Sequence, residues 1–133
     1  MGYIGQLPGT KALTASDIAD DLITSAKLNY TETALTDQAT VTWDASTEDV
    51  CKLTLGGNRT LAAPSNGTTG QFISILVIQD GTGSRTLTLG TDYESVGGSG
   101  ITLSTAASAT DIIPYVVAAS NRILLGSPQL AFS

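Results

Sequence analysis

Two periods of hydrophobic spacing divide this chain. Between residues 13 and 28 the apolar positions recur as they do on one face of a helix: Ala15, Ile18, Leu22 and Ala26, with Ala19 and Ile23 beside them. Thr14 suits the N-cap, with Asp17 three residues on in the place of the capping-box acid. Leu13 and Ile18 occupy the two positions of a hydrophobic staple. Asp17, Asp20 and Asp21 crowd the first turns, where the positive end of the helix dipole favours them, and Lys27 closes the last turn. The pattern predicts a short helix over about residues 15–27, marginal alone and in need of a partner surface. Ahead of it, residues 2–10 hold three glycines and a proline and cannot form the interior of a regular element. Tyr3, Ile4 and Leu7 in that stretch are apolar side chains that need a surface.

From residue 39 the period falls to two. Val41 and Trp43 alternate with Thr40 and Thr42, and residues 50–55 make a second strand with Cys51, Leu53 and Leu55 on one face. Gly56-Gly57-Asn58 turns the chain into Arg59-Thr60-Leu61, and Pro64-Ser65-Asn66-Gly67 is a loop. Phe72–Ile78 is nearly all apolar and β-branched, which predicts a central strand covered on both faces. Asp80–Ser84 reads as a tight turn leading to Thr86–Leu89, so a hairpin is expected between these two strands. After the Gly-Gly-Ser-Gly loop at 97–100, Ile101 and Leu103 suggest a short strand. Residues 112–117 form a strand interrupted by Pro114, which belongs at an edge or a bulge, and Asn121 turns the chain into Arg122–Leu125. Strands at spacings of about ten residues predict an all-β fold, a single antiparallel β-sandwich or jelly-roll-like domain over 37–133, behind an extended arm over 1–36. The fragments at 58–61, 84–87 and 121–124 look alike and read as repeated turn-into-strand chemistry.

Composition supports this division. The chain is 41% hydrophobic with only 5% aromatic and 14% charged residues, so its core is filled by Val, Ile and Leu. The first fifty residues carry eight acids against Lys11 and Lys27, whereas the remainder is balanced, so the whole net charge of −6 lies in the N-terminal part. No basic patch is present to neutralise phosphates, which disfavours nucleic acid as a partner. The longest apolar run, around Ile73–Ile78, is too short to cross a bilayer, and the N-terminus lacks the features of a signal peptide, so synthesis in a cytoplasm without membrane association is expected.

The chemistry available is sparse. There is no histidine, and Cys51, the only cysteine, forms no internal disulfide and reads as a small buried hydrophobe. No nucleophile elbow, phosphate loop or dinucleotide motif occurs, and the carboxylates of the β part are few, so neither catalysis nor a cofactor is expected. Asp80-Gly81-Thr82-Gly83-Ser84 superficially resembles a calcium loop but lacks its carboxylates and its distal glutamate, so no metal site is expected. Asp44, Glu48 and Asp49 read as a solvated turn, and Trp43 as a core anchor.

Tyr3-Ile4-Gly5, with the run Leu13 to Leu28 that contains Ile18-Ala19-Asp20 and Ile23-Thr24-Ser25-Ala26-Lys27-Leu28, resembles the leader of tailed-bacteriophage virion proteins. Arg59–Pro64, Gly67–Gly70 and Gln79–Leu87 resemble the small β domain of phage fibres and capsid decoration proteins. The resemblance implies a non-enzymatic virion structural protein. The chain begins at Met1 and carries one arm and one domain, an economy that points to a decoration, or cement, protein on the outer surface of the capsid. Its implied partners are the major capsid protein and itself, as a homotrimer. The arm residues expected to make the attachment are Tyr3, Ile4, Leu7, Leu13, Ile18, Leu22, Ile23 and Leu28. The alternative is a head- or tail-fibre module that binds a host surface glycan, for which Tyr93 and Tyr115 are the candidate exposed aromatics.

Overall fold

The computed structural model describes residues 32–48 and 50–133. The expected helix at 15–27 and all eight expected attachment residues of the arm lie outside them. Among the described residues there are ten strands: β1 (Glu32–Ala34), β2 (Thr40–Val41), β3 (Val50–Leu55), β4 (Arg59–Leu61), β5 (Phe72–Gln79), β6 (Leu87–Leu89), β7 (Tyr93–Glu94), β8 (Thr110–Ala119), β9 (Arg122–Leu125) and β10 (Gln129–Phe132). A single 3-10 turn, Val96–Gly98, interrupts them. The chain is all-β over this range.

The first six strands alternate between two sheets. β1, β3 and β5 lie side by side in a seven-stranded sheet, while β2, β4 and β6 make a three-stranded one, and every neighbouring pair in these two sets is parallel. The chain therefore winds through three stacked coils, 32–41, 50–61 and 72–89, each giving one strand to each sheet. The large sheet is completed by β8, antiparallel to β5, and by β9 and β10, both antiparallel to β8. β7 pairs in parallel with β9 at the far edge. Stacking in register places like on like: Thr40, Thr60 and Thr88 align across the small sheet, and Cys51 lies beside Ile75 and Leu53 beside Val77 in the large one.

This arrangement corrects several expectations. The domain is not an antiparallel sandwich, because the six strands of the coils pair with one another in parallel. The hairpin expected between 72–78 and 86–89 does not form: β5 pairs with β3 and β8, and β6 crosses to the other sheet beside β4. Ile101 and Leu103 lie in extended chain without strand pairing. Central β5 is buried on one face only, with Ile73, Ile75, Val77 and Gln79 inward and Phe72, Ser74, Leu76 and Ile78 outward. β1, within the stretch assigned to the arm, is hydrogen-bonded into the large sheet, and Leu35 after it is buried.

Pro114 sits in β8, which is central rather than an edge. Its carbonyl accepts the Gly126 N–H at 2.8 Å, so its nitrogen faces the same side, at the break between β9 and β10. No ladder hydrogen bond is needed there, which lets a proline occupy a central strand. Of the three similar fragments, 58–61 and 84–87 do meet in the small sheet, but Arg59 stands opposite Leu87, two residues off the sequence alignment.

Polar side chains join the coils at their corners. Asp37 of the first coil takes Arg59 of the second in a two-pronged contact (2.6 and 2.7 Å), and Asn58 accepts the Thr86 N–H of the third at 3.1 Å. At the opposite corner Asp44 accepts Asn66 at 2.9 Å, and Ala45 N–H donates to the Ser65 carbonyl at 2.9 Å. Inside, Trp43 meets Tyr115 edge-on with ring centroids 5.4 Å apart, and Tyr93 meets Tyr115 at 6.4 Å. The Trp43 indole donates to the Ala62 carbonyl (3.0 Å) and to the Tyr93 hydroxyl (3.2 Å), which itself donates to Ala62 (2.9 Å). These contacts tie the return loops of the coils to the loop that carries β7.

Candidate functional site

The carboxylates are occupied in holding the fold. Asp80 accepts the N–H groups of Thr82 (2.9 Å) and Gly83 (2.8 Å) and the Arg85 guanidinium (3.0 and 2.8 Å). Arg85 and the backbone donors hold its carboxyl at about 2, against an ordinary 3.8. The loop that superficially resembles a calcium site is thus a turn closed by its own arginine. Gly83 is required there: its φ is +75°, and a Cβ would lie 2.4 Å from the Thr105 carbonyl oxygen. Asp111, buried in β8, accepts Ser104 N–H and Oγ–H (both 2.7 Å) and Ala131 N–H (2.9 Å), fastening the 104 loop and β10 to the sheet. Gln79, also buried, exchanges two hydrogen bonds with the Arg85 backbone, at 2.8 and 2.9 Å. Among the described residues, no group of three or more Cys, Asp or Glu side chains could hold a metal ion.

The two aromatics expected to be available to a sugar are in the core. Tyr93 is 8% exposed and Tyr115 1%, and burial pushes the Tyr93 phenol well above its ordinary 10.0. Their sequence positions do not reveal that Tyr115 meets both Trp43 and Tyr93 edge-on in the core.

What the fold does leave open is a groove of about 690 Å³ along β6, walled by the loop from Tyr93 to Ile101. β6 is the edge of the small sheet, so one side of its backbone faces this groove with no strand paired to it among the described residues. Thr86, Thr88 and Ser95 line it with hydroxyls, Glu94 adds a carboxylate, and Gly98 and Gly100, at φ +67° and +75°, let the wall turn without side chains. Arg122 of β9 grips Glu94 with two hydrogen bonds, at 2.8 and 3.1 Å, and holds its carboxyl below the usual range. The lining thus combines hydroxyl donors and acceptors, a carboxylate held in an ion pair with Arg122, and the apolar side chains of Leu89 and Ile101. The only sequence signal for it is the glycine-rich stretch 97–100, which reads as a loop and nothing more.

A second open surface is the outer face of the large sheet. A shallow apolar depression of about 410 Å³ is lined there by Phe72, Pro114, Val116, Leu124 and Gly126 among others, and Phe72 is 68% exposed.

Residues 39–119 match the family model described as "Putative phage tail fibre C-terminal domain". The match runs from the entry of β2 to the end of β8 and takes in all but the first strand of the three coils. No curated protein and no solved structure gives a significant match. With well over half of its length covered, the chain belongs to this phage tail fibre domain family, and it is a phage structural protein and a virion component.

Proposed function

We propose that the chain is a component of a phage tail fibre, and that the groove along β6 receives a host surface glycan. The observation that carries the fibre reading is the family match over the coils themselves, a match to a fibre domain and not to a capsid decoration protein. It favours the fibre over a cement protein bound to the major capsid protein on the outer capsid surface. The groove supports the ligand class through its hydroxyl lining and its single arginine-braced carboxylate. Recognition of this kind works through hydrogen bonds to sugar hydroxyls, with Ile101 and Leu89 giving apolar contact beneath. In this proposal the arm residues Tyr3, Ile4 and Leu7 fasten the module to its neighbours in the virion. Assembly as a homotrimer would multiply weak single-site binding by effective concentration.

The test is binding of the labelled, purified protein to host cells. The wild type should bind, periodate oxidation of the cell-surface sugars should abolish binding, and Thr88→Arg, which fills the groove from an exposed position, should reduce it at least tenfold with an unchanged melting temperature. Binding indifferent to both treatments would overturn the assignment of the groove.

A further inference from the structure

The large sheet turns an apolar strip outward along its middle, and among the described residues no element lies over it. Side chains alternate along each strand, so Phe72 and Ile78 of β5, Ile112, Pro114 and Val116 of β8, and Leu124 of β9 share this face. Phe132 of β10 joins them, because it stands opposite Thr110 of β8, which also points outward. Both phenylalanines of the chain are therefore on this face, 68% and 50% exposed, while the tryptophan is in the core. A contiguous apolar face of this kind marks an interaction surface.

We infer that this face packs against a second copy of the chain, with the copies arranged about an axis parallel to β8. The inference rests on the assembly from several copies proposed above and names the face that makes it. Three observations select this occupant. The first is register. β5 flanks β8 on one side, and β9 and β10 flank it on the other. Phe72 and Leu124 both stand level with Val116, and Ile78 and Phe132 both stand level with Thr110. Rotation about an axis along β8 keeps each level and exchanges the two sides. It brings Phe72 of one copy over Leu124 of the next, at the apolar depression that Leu124, Pro114 and Gly126 help to line. It likewise brings Phe132 of one copy over Ile78 of the other. Each exposed phenylalanine meets an apolar counterpart, whether two copies share the axis or three.

The second observation is charge. One border of the strip carries the ion pair of Lys52 and Glu32, and the other carries that of Arg122 and Glu94. Each border is neutral, so the edge of one copy meets the opposite edge of the next without opposing like charges. The third is size. The four strand positions from β3 to β9, about 4.8 Å apart, and the eight residues of β5, at about 3.3 Å each, give roughly 500 Å² of face per copy. Two such faces bury on the order of 1,000 Å², the lower limit for specific association. A single contact is therefore weak, and association is reversible and concentration-dependent.

The experiment is sedimentation of the full chain over micromolar to sub-millimolar concentrations, which should show reversible association. Phe72→Glu should weaken it at least tenfold. Its melting temperature should be unchanged at a dilution where the wild type is monomeric, because the ring is already exposed in the single copy. Thr40→Glu, at an exposed position of the small sheet, should leave association as it is. A second reading fixes the axis. Phe72→Cys chains mixed with Leu124→Cys chains and a short bismaleimide should link at least fivefold faster than Phe72→Cys chains mixed with Ile78→Cys chains, the pair that an axis across the strands would bring together. Cys51, fully buried, does not compete. A chain monomeric at every concentration, whether the strip is bare or covered by residues 1–31 of the same chain, would overturn the inference together with the assembly it rests on. Association that Phe72→Glu leaves intact, or a faster link to position 78, would overturn the inference while leaving that assembly standing.

Discussion

Asp111→Asn removes one charge and almost no volume, and the geometry around Asp111 sets its cost. The carboxylate is 1% exposed and accepts three hydrogen bonds: Ser104 N–H on Oδ2, and Ser104 Oγ–H and Ala131 N–H on Oδ1. An asparagine amide must face one of these two oxygen positions. At the Oδ2 position its NH2 meets the Ser104 N–H. At the Oδ1 position the Ser104 hydroxyl can turn and accept, but the Ala131 N–H is left facing a donor. Either orientation strands one backbone donor, which costs about 1–3 kcal/mol, and replaces charge-assisted bonds with weaker neutral ones. Relief from burying a carboxylate offsets part of this, so a net loss of about 2 kcal/mol is expected. With a urea m-value of about 1–3 kcal/mol/M, the midpoint should fall by roughly 1–2 M. Hydrogen exchange should show the Ala131 amide losing protection before the coils do, because that bond anchors β10. An unchanged midpoint, or an Ala131 amide as protected as in the wild type, would refute the role given to Asp111.

Other contacts give outcomes of the same kind. Tyr93→Phe should cost about 1 kcal/mol, since the Trp43 indole keeps its bond to Ala62 while the Tyr93 hydroxyl loses its own; fluorescence of Trp43, the only tryptophan, follows the melt. The folded-state value of Tyr93 lies above its ordinary 10.0, so wild-type stability is intact below pH 10 and falls as pH rises beyond it, and Tyr93→Phe should flatten that alkaline decline. Asp80 is depressed to about 2 from 3.8, so its stabilisation is complete above pH 3.8 and is lost as pH falls toward 2; Asp80→Asn should reduce the slope of stability against pH across that window in acid titrations, and an unaltered slope would count against the Arg85 contact. Gly83→Ala should cost more than about 2 kcal/mol in denaturant unfolding, because a left-handed φ and a backbone clash with Thr105 add together, and a neutral result would refute the close approach.

How much of this was legible in the sequence depends on what each signal encodes. Apolar runs and turn residues located β5, β8 and β9 within a few residues, and alternation located β3 and put Cys51, Leu53 and Trp43 in the core, because period two reports which face is buried. It does not report which strand lies alongside. Leu87 faces the same interior whether β6 folds back on β5 or crosses to the opposite sheet, and Asp80–Gly83 is a tight turn in either case, so the hairpin and the parallel coil read alike. The extended runs of β1 and β7 are too short to carry a period, and β10 is held by Asp111, a residue far back along the chain in β8. The buried aromatic trio and the groove beside β6 arise where β7, β8 and the loop from Tyr93 to Ile101 pack against the coils. Neither Tyr93 nor the glycines at 97–100 could announce them alone.

Whether this chain is part of the tail fibre is tested most directly on the particle itself. Gold-labelled antibody against the protein, applied to intact purified virions and viewed by electron microscopy, should mark the fibres at the tail. Label spread across the head lattice, or virions without any, would contradict that placement.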